Sequence, residues 1–316
     1  MSDWIREFVS VGKWRHKMSA NAVDPIFASE VPPTAISSLL REVRAVGKTV
    51  RGFISLLGLS ILVLFAVLVP LLWGMDPNWI ENVTKNQSPS WEHPMGTDHI
   101  SRDLLARNAS GLGRTVIIGV GAVISGWIVG IALGYVAGWR GGLTDIFIMR
   151  GVDTLLAFPG ILIAIVVLTI LGGGILPLGI AIAIFNISGM ARLARAGVLR
   201  ERERDYVTAA RCLGATERRI LWRHVSVNTF GAFAVALPLA VVASVLTMAA
   251  LNYLGLGTAP PDATLGQLLL DGGRYMRFAP HYVLGPVVLL AMLLLSLNFL
   301  SDVMSERLDP IRRRDG

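Results

Sequence analysis

The sequence predicts an all-α membrane protein with six transmembrane helices, and three observations predict it. Of 316 residues, 53% are hydrophobic and only 16% charged, where a soluble domain carries about a quarter charged; the mean hydropathy is +0.60. The apolar residues gather in six blocks, at 53–73, 116–137, 155–171, 175–190, 230–251 and 284–300. A helix needs about 20 such residues to cross about 30 Å of hydrocarbon. Finally, Lys and Arg follow the positive-inside rule when the N-terminus is placed inside. Eight lie up to Arg51, two in 138–153, nine in 191–229 and four after residue 301, against four in 74–115 and two in 252–283.

Residues 1–52 read as an inner-side tail with a surface helix. The first apolar block begins too far along the chain for a signal-peptide core. Trp4, Ile5, Phe8 and Val9 share one helical face, ahead of Lys13, Arg15 and Lys17. That pattern suits an interfacial helix on the inner leaflet or a weakly ordered basic tail. After Pro32-Pro33, Ser37 or Ser38 can cap a helix through Leu39, Leu40, Val43 and Val46. Residues 53–300 then form the membrane domain, and 301–316 a basic inner tail.

The loop 74–115 is the largest outer element. Thr97 or Asp98 is expected to cap a helix carrying Leu104 and Leu105, with Arg102 and Asp103 pairing locally. His93, Asp98 and His99 lack the spacing of a metal site and read as loop packing. The triplets Asn82-Val83-Thr84 and Asn108-Ala109-Ser110 read as chance sequons. Only Gly172–Gly174 separates the third and fourth blocks, which are the short ones. Full spanning with help from their flanks is expected, against the alternative of one buried hairpin.

Several functions are excluded. A sequence pI near 10.1 follows from topology and anionic headgroups, so no nucleic-acid partner is implied. The lone cysteine, Cys212, allows no intrachain disulfide. No GxxxxGK[ST] loop is present, so the chain is not expected to bind ATP by that device, and no G-x-S-x-G or HExxH motif appears. Mid-span ionisable residues are missing, which argues against a self-sufficient ion-coupled transporter or channel, as does the lack of an internal inverted repeat. A non-transporting membrane scaffold is the other rival. Asn186 and Asn298 are intramembrane amides expected to hydrogen-bond between helices.

One segment stands out: residues 201–228, ERERDYVTAARCLGATERRILWRHVSVN, within the basic loop 191–229. Gly214 breaks a helical pattern between two spans. Ala209 and Ala210 offer a small flat surface, and Leu213, Ile220 and Leu221 are expected to anchor the loop. Arg218, Arg219 and Arg223 offer charge to a partner protein or to lipid.

Segment 205–228 resembles the coupling loop of ABC importer permeases. That pattern is Glu-Ala-Ala, three residues, Gly, then an apolar residue and often Leu-Pro. Ala209, Ala210 and Gly214 match, as do Asp205-Tyr206 before and Ile220, Arg223-His224 and Asn228 after. Thr208 stands in place of Glu, and Ser226-Val227 in place of Leu-Pro. Three further segments resemble the dipeptide/oligopeptide (peptide/nickel) branch, second permease type. HPMGTD with SRD, at 93–103, resembles HPLGTD-x-x-GRD, with Ser101 replacing Gly. Residues 135–165 resemble its inner turn and third span, including Asp145, Arg150, Asp153, Phe158 and Pro159. LNYLGLGTAPPDATLGQLLLDG, at 251–272, resembles LSFLGLG-x-x-PP-x-x-x-WG, with Leu265 replacing Trp.

The resemblance implies a type I importer bundle with a cytoplasmic coupling helix, in a bacterial or archaeal cytoplasmic membrane, both termini inside. It implies a sister permease, two ATPase domains that bind the ATP, and an external solute-binding protein. This chain would form half of the pathway, without catalytic residue, metal or cofactor. ATPase coupling falls to Asp205, Tyr206, Thr208, Ala209, Ala210, Gly214, Ala215, Arg219, Arg223 and His224. The cargo, whether dipeptide, longer peptide, glutathione, nickel or another small solute, stays open.

The topology is testable. In a Cys212→Ser background, single cysteines at Asn86 and Asp262 should react with an impermeant thiol reagent in intact cells. Reaction at Thr216 with none at Asn86 would invert the orientation.

Overall fold

The structure, a computed structural model, describes residues 46–47, 49–81, 84–258 and 261–308. The expected helices before Val46, the Asn82-Val83 pair and the tail 309–316 lie outside the described residues. Among the described residues the α-helices follow in order: α1 Val50–Trp73, α2 Leu104–Arg140, α3 Gly142–Ala157, α4 Gly160–Leu171, α5 Ile175–Arg202, α6 Asp205–Cys212, α7 Glu217–Ile220, α8 Ser226–Tyr253, α9 Leu265–Tyr275 and α10 His281–Leu308. A π-turn, Leu221–Val225, joins α7 to α8. Among the described residues five helical runs are long and apolar enough to cross a membrane: α1, α2, α5, the continuous stretch Glu217–Tyr253, and His281–Arg307 within α10.

The sixth expected span, 155–171, is broken. Helices α3 and α4 meet at 90° and make a sixth crossing only if counted as one bent span. Pro159 causes the break. It has no N–H to give the helix, and it forces the preceding residue out of the α region; Phe158 sits at φ −98, ψ 140. The 12 residues of α4 reach about 18 Å, well short of the roughly 30 Å of hydrocarbon.

The seam between α2 and α5 organises the bundle. Gly126, Gly130, Gly134 and Gly138 recur every fourth residue on α2, and all four are buried. A Cβ on Gly126 or Gly134 would overlap the carbonyl oxygen of Ala183 or Ala191, and one on Gly130 would lie 2.7 Å from that of Ile187. Only glycine permits backbones this close, which is how small-residue stripes associate membrane helices where no hydrophobic drive exists. The amide of Asn186 then joins α5 to α8, donating to Ser244 Oγ at 3.0 Å. Asn298 instead donates to Leu294 of its own helix, so the interhelical role holds for Asn186 alone of the two. Helix α1 packs on α10, where Ser55 donates to the Ser296 carbonyl at 2.8 Å.

The loop before α2 is held by ions. Asp103, not Thr97 or Asp98, caps α2, accepting from Ala106 N at 2.7 Å. Asp98 instead takes Arg102 at 2.6 Å and faces Arg107 at 3.6 Å. Arg102 therefore pairs with Asp98 and not with Asp103. His93 is buried between Asp103, 2.9 Å away, and Glu81, 3.4 Å away. His99 points elsewhere and stacks on Tyr275. Ser101 holds φ +70, a conformation that suits the glycine usual in the resembling motif. Asn108 is buried and bonded to the Leu104 carbonyl. For thiol labelling of this loop Trp91, 99% exposed, is better than Asn86, half-buried at φ +53.

The glycine seam predicts a position-specific effect. Gly134→Leu should lower the stability of the purified protein by about 1–3 kcal/mol, the usual cost of overpacking. Gly121→Leu on the same helix, where a Cβ meets nothing within 4 Å, should leave it unchanged. Thermal unfolding followed by circular dichroism reads both, and equal losses would remove the seam from its organising role.

Candidate coupling site in the 205–225 hairpin

Helix α5 runs 28 residues and ends at Arg202. The chain reverses through α6 and re-enters the bundle through α7 and the π-turn. Asp205 opens α6 and Arg211 closes it, each sign complementing the helix dipole. Behind Arg211 the backbone makes a Schellman turn. Ala215 N donates to the Ala210 carbonyl at 3.0 Å and Gly214 N to that of Arg211 at 2.9 Å, satisfying two end carbonyls. Gly214 sits at φ +80, left-handed backbone that costs glycine nothing and a side-chain-bearing residue about 1 kcal/mol or more. Thr216 then caps α7, its hydroxyl facing Arg219 N at 3.4 Å.

Three apolar side chains root the hairpin. Val207, Ile220 and Val225 are fully buried and pack with Tyr135, Met190, Ala194, Val198 and Phe233 of α2, α5 and α8. Truncating one such Ile costs about 2–5 kcal/mol, so the roots decide how stiffly the hairpin follows the spans. Polar contacts tighten the same base. Tyr206 donates to Glu201 Oε2 at 3.0 Å, and Tyr135 hydrogen-bonds Thr229 from α2 to α8. Burial pushes the Tyr206 phenol up; a hydrogen bond with Asn228 lowers it, and Glu201 raises it again. It therefore remains a neutral donor at pH 7. The His224 ring lies beside that of Tyr206, centroids 6.5 Å apart.

The tip is the opposite: open, small and weakly charged. Asp205, Thr208, Ala209, Cys212, Leu213 and Gly214 are exposed, while Ala210 and Ala215 are half-buried under it. Leu213 is 88% exposed, so it does not anchor the loop as its apolar character suggests. Ile220 does so, with Leu221 half-buried beside it. Arg211 bridges the two helices of the hairpin, reaching Glu217 at 2.9 and 3.2 Å, and its guanidinium lies 5.6 Å over Trp139. Arg219 and Arg223 are exposed at the base.

Of the expected residues, the structure brings Tyr206, Ala210, Ala215 and His224 to the base, and places Asp205, Thr208, Ala209 and Gly214 on the tip. Sequence reading passed over Val207, Glu201, Arg211 and Trp139. Val207 and Arg211 lie four apart, and Arg211 and Glu217 flank Gly214 symmetrically, a visible charge pairing across the turn.

A second constellation lies beside the hairpin. Arg195 Nε and Nη2 each donate to the Asp145 carboxylate at 2.5 Å, and Arg192 reaches Asp153 at 2.7 Å. Two ion pairs thus clamp α3 to the end of α5 that carries the hairpin. Trp127, Leu156, Phe185, Asn186, Gly189 and Leu239 line an open cavity of about 300 Å³ between α2, α3, α5 and α8.

Comparison with known proteins places the chain in a family. The family described as binding-protein-dependent transport system inner membrane component matches residues 130–314, which include the entire hairpin. The glutathione transport system permease protein GsiD of Pectobacterium atrosepticum is 34% identical over 256 residues, covering 80% of this chain and 85% of the relative. The oligopeptide transport system permease protein OppC of Bacillus subtilis is 31% identical, over 83% of this chain and 86% of the relative. The dipeptide transport system permease protein DppC of Alkalihalophilus pseudofirmus is 33% identical, over 88% and 91%. With its apolar helices, its hairpin and these relatives together, the chain belongs to the inner-membrane components of binding-protein-dependent transport systems, as a multi-pass permease subunit of an ABC importer.

Proposed function

We propose that this permease imports peptides or similar small solutes, and that its 205–228 hairpin is the lever through which partner ATPases drive it. The observation that carries the reading is the contrast within the hairpin. Its base is buried and its tip is open, and it sits on the helix that the glycine seam joins to α2. A push on Thr208, Ala209 and Leu213 therefore displaces Val207 and Ile220, and with them α5 and α8. Asp205 and Gly214 shape the tip and set its angle; Tyr206, Ala210, Ala215 and His224 hold its base, where Arg219 and Arg223 stand exposed.

The substrate class rests on the relatives, whose names specify oligopeptide, dipeptide and glutathione transport. The remaining machine comprises a sister permease, two ATPase domains that bind and hydrolyse the ATP, and an extracytoplasmic solute-binding protein received by loops 74–115 and 252–283. The chain lies in a bacterial or archaeal cytoplasmic membrane with 1–52, 191–229 and 301–316 on the cytoplasmic side. The cavity beside Asn186 forms part of its half of the pathway within the 53–300 domain.

Gly214→Val tests the lever. The left-handed backbone at φ +80 disfavours a β-branched residue by about 1 kcal/mol or more, yet a side chain there meets nothing within 4 Å. The variant should insert and pair with its sister while losing transport and substrate-stimulated ATP hydrolysis. Thr208→Glu, which restores the carboxylate usual in the resembling motif at an exposed position, should leave ATPase co-purification intact or tighten it. Wild-type transport by Gly214→Val would remove the lever role.

A further inference from the structure

Nine arginines lie in residues 191–229, and their partners divide them sharply. Arg192, Arg195, Arg200, Arg204 and Arg211 each face a carboxylate, and Arg202 donates to the Gly138 carbonyl. The guanidinium groups of the other three, Arg218, Arg219 and Arg223, find no acceptor among the described residues. These same three line one open pocket, together with Thr216 and Trp222. The nearest acid in sequence, Glu217, is already held by Arg211. A cluster of positive charge left uncompensated within the protein, next to five compensated neighbours, is built for an anion from outside.

The position of the pocket along the helix bears on the nature of that anion. Helix runs unbroken from Glu217 to Tyr253, so the pocket lies at the root of a span. Trp222 is 58% exposed, and Val227 and Phe230 on the following turns are 68% and 64% exposed. Val227 is about 6 Å along the axis from Arg223 and Phe230 about 10 Å. Headgroup layers are about 5–7 Å deep on each side of the hydrocarbon. Exposed apolar side chains one and two turns on place Arg219, Trp222 and Arg223 at the level of the lipid phosphates. Trp prefers that level, and a guanidinium fork matches a phosphate. The exposed tip, Thr208, Ala209 and Leu213, precedes Gly214, and Arg211 within it is already paired with Glu217.

We propose that Arg218, Arg219 and Arg223, with Trp222, form a binding site for the phosphate of an anionic phospholipid headgroup in the cytoplasmic leaflet. The importer reading enters through the choice of leaflet and through the lever; the phosphate site itself does not need it. A lipid held there fixes the base of the hairpin at the membrane surface and gives the lever its fulcrum.

Native mass spectrometry of the full chain, purified in detergent and delipidated, tests this. The probes are phosphatidylglycerol, phosphatidylcholine and inorganic phosphate. Wild type should retain phosphatidylglycerol in preference to phosphatidylcholine, with millimolar inorganic phosphate a weak competitor. At about 1 kcal/mol per arginine near an anionic surface, Arg223→Gln should weaken phosphatidylglycerol roughly fivefold and the triple Arg218→Gln/Arg219→Gln/Arg223→Gln variant on the order of a hundredfold. Arg140→Gln/Arg150→Gln removes two exposed, unpartnered charges outside the pocket and should change nothing. Should the triple variant fail to fold, Arg223→Gln alone decides. Unchanged phosphatidylglycerol retention in the Arg223 variant overturns the site, as does an equal loss in the Arg140/Arg150 variant. Unchanged lipid retention with lost ATPase co-purification assigns the pocket to a protein contact instead. Retention is read on the chain itself, so it stands or falls apart from the lever.

Discussion

The rest of the molecule depends on how closely α2 approaches α5. Water drives apolar helices together in a soluble protein, but lipid tails offer no such drive. Contact must come from backbones fitting one another, and four glycines at fourfold spacing supply the fit. Gly126 through Gly138 bring α2 against the carbonyls of Ala183, Ile187 and Ala191. The last glycine packs against Val198, about one turn before α5 ends at Arg202. A close-packed pair with no slack transmits displacement rather than absorbing it.

Charge completes what the seam begins. Asp145 and Asp153 clamp α3 to α5, so a helix pair bent at Pro159 is carried along by the same rod. On the opposite end, Asp98, Arg102 and Arg107 form a buried ionic knot at the start of α2, with Asp103 beside it facing His93. The seam helices are thus tied by ion pairs to α3 at one end and to the loop before α2 at the other, while Thr208, Ala209 and Leu213 stand exposed at the hairpin tip.

Much of this was legible in the sequence, and the failures have physical reasons. Hydropathy locates spans but is blind to where helices start. Helix α2 begins at Leu104, ahead of the block at 116, because Arg107 and Arg114 are neutralised by Asp98 and Asp262; composition alone counts them as polar interruptions. Pro159 was visible, yet an apolar average over 155–171 does not register a missing N–H. The bend at Gly214 was legible because left-handed turns select glycine. The exposure of Leu213 was not, since an apolar residue reads as an anchor until a neighbour is known. The spacing of the four α2 glycines was present and unread. Each is unremarkable in a membrane helix, and only the facing carbonyls reveal their purpose.

The π-turn at Leu221–Val225 has a consequence for how such permeases diverge. A π-turn accommodates one residue more than an α-turn, so it rotates everything before it relative to everything after it. Upstream, the faces of α7 are set by the hairpin; downstream, those of α8 are set by Asn186, Ser244 and the core. The turn acts as a splice joint between two surfaces with different neighbours. A change in the hairpin before Leu221 can therefore leave the register of the span behind it unchanged.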